Sequence, residues 1–246
     1  MEAIHPQTGA LIRKLESIAH LTPEETAALQ RLPLRLKTVA ADQDIVSEGD
    51  TASECCLIVA GFACRYNVTA EGKRQILSFH ISGDIADLQS LHLTVMDHSL
   101  SALIPCKLAF IQHDDLRALM GGHPRLGDLF WRDTLIEAAV FRQWVVNVGR
   151  RPALTRMAHL LCELLVRLRA VALVEDHAFN LPVTQADLAD AMALSNVHVN
   201  RVSQELRKMG LIAFQGKTLR VLDWEGLKTT GEFDPTYLHL AKKDAL

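Results

Sequence analysis

The chain has 246 residues, 49% of them hydrophobic and 22% charged, with a formal net charge of −3. That balance describes a folded chain long enough for two domains of roughly 100–150 residues, and it excludes disordered and fibrous classes. No run approaches the roughly 18 uninterrupted apolar residues of a membrane helix, and the opening MEAIHPQTGALIRKLE lacks the pattern of a secretory signal, so a cytoplasmic protein is expected.

Residues 1–36 read as short helices, with Thr22-Pro23-Glu24-Glu25 supplying a cap, a proline and first-turn acids. Residues 37–115 change character. Apolar runs at Cys56-Leu57-Ile58-Val59, Gln75–Phe79 and Lys107–Ile111 alternate with turn signals at Glu48-Gly49-Asp50, Ala60-Gly61, Glu71-Gly72 and Ser82-Gly83-Asp84. Many short strands with glycine-bearing turns predict an antiparallel barrel or sandwich. The five cysteines, Cys55, Cys56, Cys64, Cys106 and Cys162, are odd in number and show neither a CxxC pair nor zinc-finger spacing, so no disulfide framework and no metal site is expected.

Pro124 is a good first residue for a helix running to Gly149. Leu126, Leu129, Phe130, Ile136, Val140 and Trp144 follow three/four spacing, while Trp131, Leu135, Phe141 and Val145 add apolar residues on other faces. Such a helix is either buried in one core or packs on its own domain and on a second copy of itself. The second reading is preferred.

From Pro152 a further helix carries Leu154, Met157, Leu161, Leu164, Leu165 and Leu168. Thr184 then caps a short helix to about Met192, with Asp187 three residues on, and Ala193-Leu194 makes a tight turn. Ser195 caps a second helix from Asn196 to Met209, whose expected buried stripe is Val199, Val202, Leu206 and Met209. Gly210 ends it, and residues 211–222 form a β-hairpin. Helix, turn, capped helix and hairpin together make a winged helix-turn-helix.

Charge distribution supports that reading. Residues 1–149 hold 13 Lys/Arg against 18 Asp/Glu, whereas 194–220 hold Arg201, Arg207, Lys208, Lys217 and Arg220 against Glu205 alone. Asn196, Val197, His198, Asn200, Arg201 and Gln204 lie off the buried stripe and suit base edges in a major groove: arginine for guanine, amides for adenine, an aliphatic group for the thymine methyl. Thr184, Ser195, Lys208, Lys217 and Arg220 are the expected phosphate contacts.

The segment LPVTQADLADAMALSNVHVNRVSQELRKMGLI resembles the DNA-binding module of the Crp/Fnr superfamily of bacterial transcription regulators. Upstream, IVSEGDTASECCLIVAGFACRYNVTAEGKRQILSFHISGDIADLQSL is similar to that family's cyclic-nucleotide-binding-type β-roll. The resemblance implies an α+β fold in four parts. Residues 1–123 hold N-terminal helices and the antiparallel β-roll, 124–150 the dimerisation helix and hinge, 151–230 the winged helix-turn-helix, and 231–246 a tail. It also implies a homodimer on two-fold symmetric DNA, with half-sites about 10 bp or a multiple apart, and RNA polymerase as a possible partner.

Departures from the family pattern narrow the effector. In cAMP-responsive members a Gly-Glu pair starts a phosphate cassette, and an Arg-Ser or Arg-Thr pair follows about a dozen residues later. Here Gly83-Asp84 stands first, and Val95–Ala102 contains no arginine. Losing a charge-assisted phosphate contact costs roughly 1.5–3 kcal/mol. Asp87 and Asp97 would repel an anion, and His98 helps only when protonated. The degenerate pocket expected here is Gly83, Asp84, Asp87, His98 and Ser99, with cAMP disfavoured and no cofactor expected. No cysteine precedes Cys55, which argues against the oxygen-sensing iron–sulfur chemistry of one branch. His80, His92, His98 and Cys106 are potential haem ligands that no motif selects. Cys55 and Cys56 read as buried structural thiols rather than an oxidant sensor.

The recognition helix departs too. Familiar members carry a glutamate at the position of Val197 and an arginine like Arg201 four residues later, so the half-site should differ. Ala193 replaces the usual turn glycine, which is tolerable if its φ is negative. A competing reading makes the chain a cyclic-nucleotide-type ligand sensor whose winged helix mediates protein interaction; the concentrated basic patch opposes it. No GxSxG, P-loop, HExxH or GxGxxG stands in a suitable context, and Asp114-Asp115 reads as a helix start, so no enzyme is expected.

Overall fold

The computed structural model describes residues 6–241; the first and last five residues, including the end of the expected tail, lie outside the described residues. The chain divides into two compact units. One comprises residues up to Asn67 with Phe79–Ala138, the other Val68–Ser78 with Ala139 onward.

In the first unit, α1 (Gly9–Ile18) and α2 (Pro23–Gln30) precede the strands. Thr22 and Glu25 form a reciprocal capping box at the start of α2, which is why an eight-residue helix with little apolar face still begins cleanly. The strands are β1 (Arg35–Val39), β2 (Asp44–Val46), β3 (Glu54–Ala60), β4 (Phe62–Val68), β5 (Arg74–Ile81), β6 (Ser99–Ala102) and β7 (Cys106–Gln112). They form antiparallel sheets in the orders β1-β7-β3 and β2-β6-β4-β5. Between the two sheets Val39, Cys56, Ile58, Ala63, Leu100, Ala102, Leu108 and Phe110 make one apolar cluster.

Residues Cys55 to Ile58 are all fully buried, so both faces of β3 are covered. The unbroken apolar run in the sequence has this cause, since a half-exposed strand would alternate. Gly61 sets the β3–β4 turn at φ +128°, and a Cβ there would lie 2.9 Å from the Cys106 Cα. Only glycine fits. After β7 come α3 (His113–Gly122), with Asp114 and Asp115 in its first turn, and α4 (Pro124–Gly149), the expected long helix.

The second unit is built on α5 (Ala153–Ala170), whose face from Met157 to Leu168 is buried. Around it lie α6 (Gln185–Met192), α7 (Asn196–Lys208), α8 (Trp224–Thr230) and a three-stranded antiparallel sheet. That sheet contains β8 (Ala178–Asn180), β9 (Ile212–Gln215) and β10 (Thr218–Val221) in the order β8-β10-β9. The hairpin is legible in the sequence; β8 is not, because three residues with one buried apolar side chain carry no period, and the strand exists by pairing with β10. Residues 231–241 continue onto this core, with Phe233 and Leu238 buried.

One member of the expected stripe is corrected. Met209 is 49% exposed, because α7 ends at Lys208 and Gly210, at φ +74°, turns the chain away. Leu211 takes the core position instead, its amide donating to the Leu206 carbonyl at 3.1 Å.

A polar network crosses the second unit's interior. Glu163 is fully buried and accepts from Trp144 Nε1 at 3.2 Å, Arg167 at 3.2 Å and the Tyr237 hydroxyl at 2.9 Å. His159 shares a hydrogen bond with the Gly231 carbonyl at 3.0 Å and with the same Tyr237 hydroxyl at 3.2 Å. Burial first, and the Arg151 charge second, lower the His159 pKa to about 4, so it is neutral.

Candidate nucleic-acid interface

Each helix of the pair is set by a side-chain cap. The Thr184 Oγ1 accepts from the Asp187 amide at 3.1 Å, while the Asp187 carboxylate accepts from the Thr184 amide at 2.9 Å. Ser195 Oγ accepts from the His198 amide at 3.3 Å. Both hydroxyls sit on exposed residues at positive helix ends, the place where anions are favoured.

Between the helices, Ala193 adopts φ +50°, ψ +47°. The condition of a negative φ is not met: the turn requires the left-handed conformation, where a Cβ costs about 1–2 kcal/mol. Arg156 of α5 braces this turn from below. It donates to the Met192 carbonyl at the end of α6, to Val148 at 3.1 Å and to Arg151 at 3.0 Å. Nothing in the sequence marks Arg156, because its partners lie as far as 36 residues away.

On α7, Val199, Val202 and Leu206 are buried and fix which face looks outward. Asn196, Val197, Arg201 and Gln204 are exposed, Val197 to 74%, and His198 and Asn200 are half-buried at the margin. Positions 197, 201, 204 and 208 therefore form one outward stripe. Asn200 and Gln204 are joined across one turn, Gln204 Nε2 donating to Asn200 Oδ1 at 2.8 Å. A base contact by either amide would have to break or share that bond.

The wing carries the remaining expected phosphate contacts. Lys217 is exposed in the β9–β10 turn, and Lys208 is exposed at the end of α7. Arg220 points outward between buried Leu219 and Val221, with one guanidinium nitrogen donating to the Asp176 carbonyl at 2.8 Å. Arg74, which no motif selects, pairs with Asp187 at 2.6 Å and Asp190 at 2.7 Å of α6.

The expected effector residues all belong to the first unit. Gly83 has φ +98°, and a Cβ there would come within 2.6 Å of the Ala10 carbonyl, so α1 lies directly against the turn. Asp84 accepts from the Ile81 amide at 2.9 Å and pairs with Lys14 of α1 at 2.9 Å. Lys14 also pairs with Asp133 of α4 at 2.7 Å. Burial opposes the Lys14 charge, but Asp133 and Asp84 outweigh it and raise the ammonium above its ordinary value. Asp87 accepts from the Cys56 amide at 2.6 Å through Oδ1, while its buried Oδ2 has no hydrogen-bond partner among the described residues; burial raises its pKa to about 6.

Ser99 begins β6, and His98 immediately precedes it. Burial, then Arg65, lowers the His98 pKa, so it supplies no cation near neutral pH. Ser99 Oγ accepts from the Glu48 amide at 3.0 Å. An arginine does reach this interior from β4, outside the window where the family cassette places one. Arg65 is buried, donates to the Ala86 carbonyl and pairs with Glu137 of α4 at 3.2 Å. Cys55 and Cys56 are fully buried in β3, and burial with the Asp87 charge pushes the Cys55 thiol up to about 12. Neither has the thiolate character of a sensor. Among the described residues no group of three or more His, Cys, Asp or Glu is arranged to hold a metal.

Two families of known domains match the two halves of this architecture. Residues 36–123 match the cyclic nucleotide-binding domain, and residues 155–230 match the Crp-like helix-turn-helix domain. The transcriptional activator protein FnrL of Cereibacter sphaeroides is 25% identical over 209 residues, covering 84% of this chain and 83% of its own. The anaerobic regulatory protein of Haemophilus influenzae is 25% identical over 227 residues, covering 90% and 86%. The structure of FixK2 from Bradyrhizobium japonicum has the same fold, with a TM-score of 0.73 at 22% identity over 81% of this chain and 98% of that one. A roll-type domain, a long helix and a capped helix pair with a wing, matched in this order, lead to one conclusion: the chain belongs to the Crp/Fnr superfamily of transcription regulators.

Proposed function

We propose that the chain acts in the cytoplasm as a homodimeric, non-enzymatic regulator that places α7 of each protomer in a major groove of a two-fold symmetric promoter site. The observation that carries this is the outward stripe of Val197, Arg201 and Gln204, exposed within a segment where five cations face one acid. Arg201 reads guanine, and Val197 contacts a thymine methyl in place of the cytosine contact a glutamate would make. Lys208, Lys217, Arg220 and Ser195 hold phosphates and set the register, while Thr184, whose amide and hydroxyl both donate to Asp187, would have to release that carboxylate to join them. RNA polymerase is the expected further partner.

The dimer reading is supported by α4. Trp131, Leu135, Val145 and Val146 are exposed on it, Trp131 to 63% and Val145 to 71%, which is unusual for large apolar side chains unless another surface covers them. Cyclic AMP is not the effector in this reading. Asp84 is already paired with Lys14, Arg65 with Glu137, and no protonated histidine is at hand to replace a cassette arginine.

Site selection from random duplex DNA, with purified protein, no added ligand and a stated salt concentration, tests the reading. The expected result is a two-fold symmetric motif with half-sites about 10 bp or a multiple apart. Arg201→Ala should then lose about 1–3 kcal/mol of affinity and tolerate any base at one position of each half-site. Motif-free, salt-sensitive binding would count against it and favour a winged helix that serves a protein partner.

A further inference from the structure

The segment Val68–Ser78, which contains the turn between β4 and β5, belongs to the same compact unit as the winged helix. Two adjacent side chains of β5 hold α6 there. Arg74 donates Nη2 to Asp187 Oδ1 at 2.6 Å and Nε to Asp190 Oδ2 at 2.7 Å. Gln75 donates Nε2 to the Ala191 carbonyl at 3.4 Å. One contact lies in the first turn of α6 and the others in its last, so a helix of about 12 Å is gripped along its length.

The grip is partly buried, with the Arg74 side chain 29% exposed and the Asp187 side chain 8%. Asp187 is also the carboxylate of the α6 capping box, with its second oxygen on the Thr184 amide and hydroxyl. The helix end at Thr184 therefore carries a full negative charge beneath the spot where a phosphate oxygen would approach. Arg74 offsets part of that charge, shared with Asp190. It also fixes the helix that leads into the left-handed turn at Ala193, and so fixes where α7 starts. With this contact closed, Val197, Arg201 and Gln204 remain exposed, so the held arrangement is open to DNA.

We propose that Arg74 is a positioning residue for DNA binding: it locks α6 through Asp187 and Asp190, and offsets part of the acid charge at the α6 N-terminus, without itself touching DNA. This rests on the DNA-binding reading above. The partner is a duplex phosphate backbone at the α6 end and base edges at α7.

The test uses the full chain and the duplex selected above, with binding measured at several salt concentrations well below the melting temperature. Arg74→Gln should weaken binding by about three- to thirtyfold, changing the slope of log affinity against log salt by much less than the roughly 0.9 of a lost phosphate contact. Arg74→Lys should recover part of the loss. Asp190→Asn, which keeps the Arg74–Asp187 pair, should weaken binding less, and adding it to Arg74→Gln should change nothing further. If Arg74→Gln misfolds, Arg74→Lys and Asp190→Asn carry the test alone.

Three results overturn the proposal while leaving DNA binding intact. A lowered melting temperature with unchanged affinity makes Arg74 a stability residue only. A slope reduced by about 0.9 makes it a phosphate contact. Tighter binding by Arg74→Gln makes the grip a restraint. Failure of the wild-type chain to select any motif is a separate outcome, which removes the DNA-binding reading and the proposal with it.

Discussion

The interior of the roll and the outer face of α7 both carry charge, and they handle it in opposite ways. In the first unit Lys14 lies between Asp84 and Asp133, and Arg65 faces Glu137; the cations are largely buried and each has an acid on a different element. On α7 and the wing, Arg201, Lys208 and Lys217 are exposed. A buried cation without its acid would be expensive, so the interior pairs serve the chain's own shape. An exposed cation stays solvated, and its charge is available to a polyanion.

Removing charges should separate the two regions most sharply. Lys14→Met leaves two acids facing each other, and Glu163→Ala leaves the Trp144 indole, the Tyr237 hydroxyl and Arg167 without their common acceptor. Each is expected to destabilise its unit by about 3–5 kcal/mol in urea unfolding. Arg201→Ala should alter stability by less than about 0.5 kcal/mol while lowering DNA affinity. A large stability loss from Arg201→Ala would erase the distinction.

Acidity should act on the two units with opposite sign through two buried groups. Burial raises the Asp87 pKa from 3.8 to about 6, so the folded state takes up its proton more readily than the unfolded chain. Its contribution is most favourable below pH 4 and is lost as pH rises through 6, by about 3 kcal/mol in all. Asp87→Asn should therefore gain on the wild type at pH 8 and lose that gain at pH 4. Burial lowers the His159 pKa from 6.5 to about 4, so its contribution is complete above pH 6.5 and is lost as pH falls through 4. His159→Gln should flatten that acid limb, again by about 3 kcal/mol. Stability measured against pH for the two variants, each referred to the wild type, should yield curves of opposite slope.

The smallest effect concerns the turn. Ala193→Gly removes a Cβ from a left-handed position and should stabilise the second unit by up to about 1 kcal/mol, offset in part by glycine's greater freedom in the unfolded chain. A loss of stability would mean that the Ala193 methyl makes packing contacts worth more than the backbone strain.

Much of the interface is legible in the chain's local chemistry. Thr184 and Ser195 announce their helices by cap chemistry, which acts over three residues, and Val199, Val202 and Leu206 select the buried face by periodicity alone. Met209 departs from the expectation because a stripe does not say where the helix stops, and the chain turns one residue earlier than the spacing suggests. Arg65 escapes sequence reasoning because a family cassette is read in order along the chain, whereas β4 delivers that guanidinium from about 20 residues upstream of it. Arg74 and Arg156 give no signal at all. A lone arginine in a strand or helix looks the same whether it faces solvent or a carbonyl.

Propensity, capping and hydrophobic period act over a few residues. The order of the main elements (though not β8), the capped helix pair, the turn glycines, the basic character of 194–220 and the family therefore follow from the amino-acid order alone. Which charges are partnered was decided only in three dimensions. Folding brings Lys14 to Asp84 and Asp133, Arg74 to Asp187, and Glu163 to Tyr237, pairs separated by 70 to 119 positions along the chain. Such pairs depend on where folded elements come to rest, and electrostatic energy at 3 Å rewards that placement without leaving any local pattern to read.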